Sequence, residues 1–301
     1  MPGIRKPRRT ESKSRRSPVA GTTAPCPISR DVHFGGREAS ANIGTGMQQR
    51  WPETLWVVRH GESAGNVARD AAHAAGLSRI EIGPRDVEVP LSALGERQSF
   101  ALGQWFASQP ENARPDVVMT SPYLRAQFTG ELIRKAGGFA LAQDQAFVVD
   151  ERLREKEFGI LDRLTRAGIQ ELHPEQAEFR RLLGKFYYRP PGGESWCDVI
   201  LRLRGALDTM SLHHGGRRVL ILTHQVVVLC MRYLLENLTE DAILAIDRQG
   251  DVANCAVTEY RFEPRLGPDG GLVLERYNFV TPLEEAGAPV TSEPDLNVAA
   301  R

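Results

Sequence analysis

This chain has little that suits a disulfide framework, a metal site or a membrane. Its four cysteines in 301 residues, Cys26, Cys197, Cys230 and Cys255, show no paired spacing. Neither a disulfide scaffold nor a CxxC site is therefore expected. Cys230 falls in an apolar stretch, where a reduced, buried thiol is the simplest reading, and this fits a reducing compartment. No HExxH or DxD-type metal spacing occurs, and no GxxxxGK[ST] nucleotide loop. The longest apolar stretch, around Val226 to Leu235, is interrupted by Arg232 and falls well short of a membrane span. An apolar signal-peptide core is also missing. These absences predict a soluble, cytoplasmic protein with no membrane partner and no cofactor. No internal repeat or heptad array is visible.

Excess charge of one sign is lacking too: 38 basic and 38 acidic residues give a formal net charge of zero. The distribution is nevertheless uneven. Residues 1–50 are rich in Arg, Lys, Ser, Pro and Gly, with runs such as Arg5-Lys6-Pro7-Arg8-Arg9, and hold few large apolar residues. The composition predicts a disordered basic extension, because so little apolar surface cannot offset the entropy of ordering the chain. Three readings of it stay open: a basic arm for nucleic acid or anionic surfaces, a targeting peptide, or translated upstream sequence without a role, with Met47 as an alternative start. Nucleic acid is expected to bind only through this arm, since the remainder offers no aromatic-basic platform. A single domain is expected over 51–280, with 41% hydrophobic residues in the whole chain sufficing for a core. Residues 281–301, rich in Ala, Glu and Pro from Pro282 onward, are predicted to be a disordered tail.

Within 51–280, short apolar runs alternate with helical patterns. This predicts an α/β three-layer sandwich with a mostly parallel central sheet flanked by helices. Strands are expected at Leu55 to Val58, Val117 to Met119, Ala146 to Val149, Val219 to Leu222, Ala256 to Phe262 and Leu272 to Tyr277. The last two flank a Gly-rich turn and predict an antiparallel hairpin at one edge. Ser92 is expected to cap a helix running to about Ala107, and Glu194 to His213 reads as another, ended by Gly215-Gly216.

The reactive residue types sit where these strands stop. Leu55-Trp56-Val57-Val58 ends in Arg59-His60-Gly61-Glu62-Ser63, and Val219 to Leu222 ends in Thr223-His224-Gln225. Strand ends of open α/β sheets line the ligand crevice. Val117 to Met119 stops at Ser121-Pro122, and the following helix carries Arg125 in its first turn, where unpaired N–H groups already favour an anion. A charged loop, Arg152 to Gly159, supplies two candidate acids, Glu155 and Glu157. Two strand-end histidines, two arginines and an acidic loop make one coherent anion site. The bland readings are structural strand-end histidines, surface arginines, and Asn66 as a helix-capping or turn residue. His73, His173, His213 and His214 match no pattern.

The strings RHGES with Asn66, LSALGERQ at Leu91 to Gln98, SPYLRA at Ser121 to Ala126, LREKEFG at Leu153 to Gly159, GGES at Gly192 to Ser195 and THQ at Thr223 to Gln225 resemble the histidine phosphatase superfamily, the phosphoglycerate mutase-like proteins. They occur in the family's order over roughly Trp51 to Val280. The resemblance implies that His60 is a nucleophile that becomes a transient phosphohistidine. It implies that Arg59, Arg125, Asn66 and His224 hold the phosphoryl group, and that Glu155, four residues before the glycine, is the general acid. Glu157 remains the competing acid. No role is assigned to the side chains of Glu62 and Gln225. The chemistry is sound, since neutral imidazole is a good nucleophile and fixed guanidinium groups neutralise charge on phosphoryl oxygens.

Mutase members carry a longer segment between the acid loop and GGES, with extra basic residues. Only Phe158 to Pro191 stands there in this chain, and the shorter segment favours hydrolysis over transfer. Arg180, Arg181, Lys185 and Arg189, interleaved with Phe186, Tyr187 and Tyr188, are candidates to cover a phosphorylated metabolite, Arg189 first among them. The alternative is a solvated helix face plus core aromatics. THQ followed by an apolar helix also resembles the fructose-2,6-bisphosphatase branch, without its kinase domain. The expected function is that of a metal-independent histidine acid phosphatase-type monoester hydrolase acting on a small phosphorylated substrate. Mutase-type phosphoryl transfer and a non-catalytic phosphate-binding protein are the alternatives. Oligomeric state is not predicted.

Overall fold

The computed structural model describes residues 49–139 and 147–292. The expectations of disorder for the basic extension up to residue 48 and for 293–301 lie outside the described residues, as does Ala146. In chain order the elements are β1 (Thr54–Arg59), α1 (Ala64–Ala74), α2 (Ala93–Ser108), β2 (Val117–Thr120), α3 (Leu124–Gly137), β3 (Phe147–Val149), α4 (Arg166–Leu172), α5 (Pro174–Tyr187), α6 (Trp196–His213), β4 (Arg218–Thr223), α7 (Gln225–Leu235), α8 (Glu240–Gln249), β5 (Val257–Glu263), β6 (Gly271–Phe279) and α9 (Thr281–Glu285).

The six strands form one sheet in the order β3-β2-β4-β1-β5-β6. β3, β2, β4 and β1 are mutually parallel, whereas β5 runs antiparallel to β1 and to β6. The central strands are apolar at nearly every position because both sheet faces are covered. Successive residues point to opposite faces. Leu55 and Val57 of β1 pack with Val219 and Ile221 of β4 in a cluster that includes Trp196, Leu203 and Met210 of α6 and much of α7. Trp56 and Val58 join Leu220 and Leu222 in a second cluster with Leu102 and Phe106 of α2 and Ile133 of α3. Each such side chain, fully buried, contributes roughly 1.5–3 kcal/mol. A charge at Val57, which is 0% exposed, would break the first cluster.

Parallel strands joined by helical crossovers bring their carboxyl ends to one edge. Pairing continues one residue beyond the strands there: His60 N–H donates to Thr223 O at 2.8 Å, Ser121 N–H to Leu222 O at 3.0 Å and Asp150 N–H to Thr120 O at 2.9 Å. The sheet ladder itself therefore brings the RHG, SPY, acid-loop and THQ strings together.

The tail departs from expectation. Thr281–Glu285 is helical, Leu283 is fully buried in the cluster beneath α2, and Pro289 and Thr291 accept hydrogen bonds from Gln98. The packed domain thus reaches past 280, and disorder from Pro282 is incorrect for 282–292. Composition misled because this segment is held by tertiary contacts and not by its own apolar content.

Candidate active site

His60 leaves β1 with its ring almost completely buried. Its Nδ1 lies 2.7 Å from Gly61 O, and Arg125 Nε–H donates to its Nε2 at 3.2 Å. A carbonyl oxygen only accepts, so Nδ1 carries the proton and Nε2 presents its lone pair. Burial, then the charges of Arg125 and Arg59, hold the imidazole well below its ordinary pKa of 6.5. The ring is neutral at neutral pH.

The backbone behind this ring is placed by the LSALGERQ string. Ser92 Oγ caps α2 by accepting from Gly95 N–H at 3.0 Å and donates to Glu62 Oε1 at 2.6 Å. A Cβ on Gly95 would stand 1.9 Å from Glu62 O, so only glycine lets α2 approach this closely. Glu62 thereby acquires the role that its string did not reveal.

Two guanidinium groups flank the histidine. Arg59 Nη1 donates to Gln225 Oε1 at 3.0 Å and Val252 O at 2.5 Å, while Gln225 Nε2 donates to Asp251 Oδ1 at 2.8 Å. Gln225 of the THQ string therefore orients Arg59. Arg125, in the first turn of α3, reaches Asp86 as well as His60. Its Nη1 donates to Asp86 O at 2.7 Å and Oδ1 at 3.0 Å, and its Nη2 to Oδ2 at 3.4 Å. Asp86 went unnoticed in the sequence because it lies in a short 3-10 turn with no motif around it.

His224 is fully buried, its ring centroid 5.1 Å from that of His60. Its Nε2 pairs with Ser121 Oγ at 2.8 Å, while its buried Nδ1 makes no hydrogen bond among the described residues and lies 3.9 Å from Glu155 Oε2. Burial, then Arg125 and His60, also push this imidazole well below 6.5. Glu155 lines the pocket. Glu157 turns away, half-exposed, accepting from Tyr123 Oη at 3.2 Å and standing 3.7 Å from Arg154.

The acid loop is held from α6. Arg202 donates to Arg152 O at 2.6 Å and Glu155 O at 3.2 Å, and also to both carboxylate oxygens of Glu194. Burial alone would raise the Glu194 carboxyl, but Arg202, then the Glu157 N–H and then Arg154, bring it below its ordinary value. Gly159 adopts φ +57°, and a Cβ there would meet Pro191 O at 2.1 Å. The GGES string thus clamps the acid loop.

Arg59, His60, Ser63, Asn66, Arg125, Glu155 and Gln225 line one pocket together with Arg69, Asp86, Phe158 and Asp162. Its cavity volume is about 90 Å³, comparable to a few water molecules at roughly 30 Å³ each. That suits a phosphoryl-sized group with the rest of any ligand at the mouth. Hollows of about 390 and 410 Å³ lie elsewhere, away from these groups. Asn66 combines its two expected readings. Its Oδ1 accepts from Ser63 N–H at 2.8 Å and Ser63 Oγ at 2.9 Å in a capping box, and the residue also lines the pocket. Burial, then the Asp86 charge, raises the Asp162 carboxyl.

The basic residues of 180–189 do not reach this pocket. Arg189 pairs with Asp198 of the α6 capping box, Arg181 with Glu178 and Lys185 with Asp247. Arg180, like Phe186 and Tyr188, is buried. Arg189 as a substrate contact is thus incorrect in this structure, because a carboxylate nine residues on neutralises it.

A probable phosphoglycerate mutase of Yersinia enterocolitica is 29% identical over 223 residues, covering 73% of this chain and 90% of that protein. One of Photorhabdus laumondii is 29% identical over 234 residues, covering 76% and 94%. Among solved structures, a mycobacterial glucosyl-3-phosphoglycerate phosphatase aligns with a TM-score of 0.56 at 23% identity, covering 75% of this chain and 99% of that one. A putative alpha-ribazole-5'-P phosphatase of Escherichia coli aligns with a TM-score of 0.57 at 17% identity, covering 76% and 98%. These structural likenesses concern the fold. The family model for the histidine phosphatase superfamily, branch 1, matches residues 55–268, the stretch that holds His60, Arg125, Glu155 and His224, and the chain belongs to that superfamily.

Proposed function

We propose that the protein is a phosphomonoesterase that hydrolyses a small phosphorylated metabolite through a phosphohistidine on Nε2 of His60. The observation that carries this reading is the Nδ1–H bond to Gly61 O, which leaves the Nε2 lone pair toward the pocket on a ring kept neutral. In the first step Nε2 attacks phosphorus, the N–P bond forms and the P–O bond to the leaving group breaks. Glu155, protonated, gives its proton to the departing oxygen. In the second step Glu155 takes a proton from water, whose oxygen attacks phosphorus. The N–P bond then breaks, and inorganic phosphate leaves with the imidazole neutral again.

Arg59 and Arg125 neutralise the charge spread over the phosphoryl oxygens. A bound phosphoryl group takes the place of the Asp86 carboxylate on the Arg125 fork and draws Arg125 Nε off Nε2, freeing the lone pair for attack. Asn66 spends its Oδ1 on the helix cap, so Nδ2 is the donor it offers the substrate. His224 accepts from Ser121 at Nε2 and donates from Nδ1 to a phosphoryl oxygen. Hydrolysis is favoured over mutase transfer because Arg181, Lys185 and Arg189 are all paired with carboxylates outside the pocket. A mutase must retain its phosphorylated intermediate beneath a basic cap.

The test is phosphate release in EDTA from phosphosugars, 3-phosphoglycerate, nucleotides, phosphopeptides and p-nitrophenyl phosphate, with wild type and His60→Ala in parallel. EDTA-resistant release that the substitution abolishes is the expected result. Conversion of 3-phosphoglycerate to 2-phosphoglycerate without net release would replace hydrolysis by transfer. Binding without turnover would leave a phosphate-binding protein.

A further inference from the structure

Behind the His60 ring, a second group of side chains holds the loop backbone, and none of them lines the pocket. Asn254 and Gln98, both buried, grip the loop from its two sides. Asn254 Nδ2–H donates to His60 O at 2.9 Å, and Gln98 Oε1 accepts from Glu62 N–H at 2.9 Å. The peptide units on either side of Gly61 are thereby fixed, and with them the direction of the Gly61 carbonyl that holds the proton on Nδ1. Both amides then meet at one hydroxyl beyond α9. Gln98 Nε2–H donates to Thr291 Oγ1 at 2.9 Å, and Thr291 Oγ1–H donates to Asn254 Oδ1 at 3.0 Å. Gln98 Nε2 also reaches Pro289 O, and Asn254 N–H donates to Thr291 O at 2.8 Å.

His60 O, which only accepts, and Glu62 N–H, which only donates, fix which way the two amides point, so Thr291 Oγ1 receives Gln98 Nε2–H and gives its one proton to Asn254 Oδ1. A flipped Asn254 would set its oxygen against His60 O, and a flipped Gln98 would set its NH₂ against Glu62 N–H. In each case a buried polar group would lose its partner. Thr291 lies beyond residue 268, where the family match ends.

We propose that Thr291 is a positioning residue for the nucleophile, acting through Asn254 and Gln98 on the Gly61 carbonyl and so on the protonation pattern of the His60 ring. This rests on the reading of His60 as the nucleophile, so the experiment has one readout that needs turnover and one that does not.

The full chain is prepared as wild type, Thr291→Val, Thr291→Ser and Gln98→Met. Steady-state kinetics on p-nitrophenyl phosphate are combined with ¹⁵N NMR of the imidazoles, His60 being assigned by comparison with His60→Ala. Thr291→Val keeps the shape but not the hydroxyl, and should lower kcat about tenfold with KM within about twofold, as expected for misplacement of a reacting group. Its His60 signals should lose the single Nδ1–H tautomer. Thr291→Ser restores the hydroxyl and should restore both readouts. If Thr291→Val does not fold, Gln98→Met, which removes the other arm, should show the same kcat loss and tautomer change. Wild-type kcat and an unchanged imidazole spectrum in Thr291→Val or Gln98→Met would overturn the proposal, as would a Thr291→Ser protein as impaired as Thr291→Val. If wild type releases no phosphate, the phosphatase reading fails, and the tautomer readout alone decides the positioning role.

Discussion

The floor of the pocket and its rim are built differently. On the floor, His60, Arg59 and Arg125, with His224 packed against the His60 ring, are buried, stand at strand ends or a helix start, and are oriented by the groups around them. On the rim, Asp86 and Asp162 come from loops and keep side-chain exposures of 45% and 50%. Preorganised groups aimed at developing charge need not reorganise during reaction, which suits the part that handles phosphorus. In the proposed mechanism, an exposed rim carried on loops suits the part that meets whatever the phosphoryl group is attached to. Relatives named as mutases and structural neighbours named as phosphatases resemble this one chain, as expected when a fold does not by itself fix the reaction.

The contrast makes substitutions in the two regions behave differently. On the floor, Arg59→Ala or Arg125→Ala should each lower kcat/KM by about 10²-fold or more for every substrate, through lost charge stabilisation. An arginine variant that loses activity on one substrate class alone would move that residue to the rim. Between the regions, Glu155→Gln should slow substrates with poor leaving groups most and p-nitrophenyl phosphate least, because a good leaving group scarcely needs the proton. Glu157→Gln should leave that dependence unaltered, and the reverse pattern would exchange the two acids. On the rim, Asp86→Asn removes a carboxylate that competes for the Arg125 fork. Inhibition by inorganic phosphate should then tighten by roughly severalfold, following the lost like-charge repulsion at partial exposure. Unchanged or weaker inhibition would show that Asp86 serves mainly to hold Arg125 in place.

The smallest effect concerns stability. His60 and His224 both titrate well below 6.5 in the folded state, chiefly through burial. The unfolded chain therefore binds more protons below that pH. Their contribution is complete above 6.5 and is lost as pH falls toward the folded-state values. Thermal midpoints of wild type should decline with acidification from 6.5, and His224→Gln should decline less steeply. Parallel curves would mean that His224 is not held neutral.

What could be read from the sequence follows the same division. The floor was legible because parallel strands are continuous apolar runs, and the residue types that stop them stand out. The edge hairpin was legible from its Gly-rich turn. The choice between Glu155 and Glu157 rested on motif position alone, since the Glu155 backbone is held by Arg202, 47 residues on, and its carboxylate lies between Lys156 N–H and the sequence-distant His224. Asp86 and Asp162 come from loops without periodicity, and Arg69 stands on α1 three residues past Asn66 with no motif to single it out. Arg189 could have been read better: Ser195 and Asp198 have capping-box spacing, and a cap carboxylate near an arginine is a ready partner. The segment through Thr291 escaped because Leu283 is its only large apolar anchor.

The decisive measurement is mass spectrometry of the protein quenched in alkali during turnover of p-nitrophenyl phosphate, with the modified peptide mapped. A single phosphoryl group on His60, labile to acid and absent from His60→Ala, is the predicted result. Turnover with no trapped phosphoryl group after rapid quenching, or with the group on any other side chain, would contradict a phosphohistidine at the end of β1.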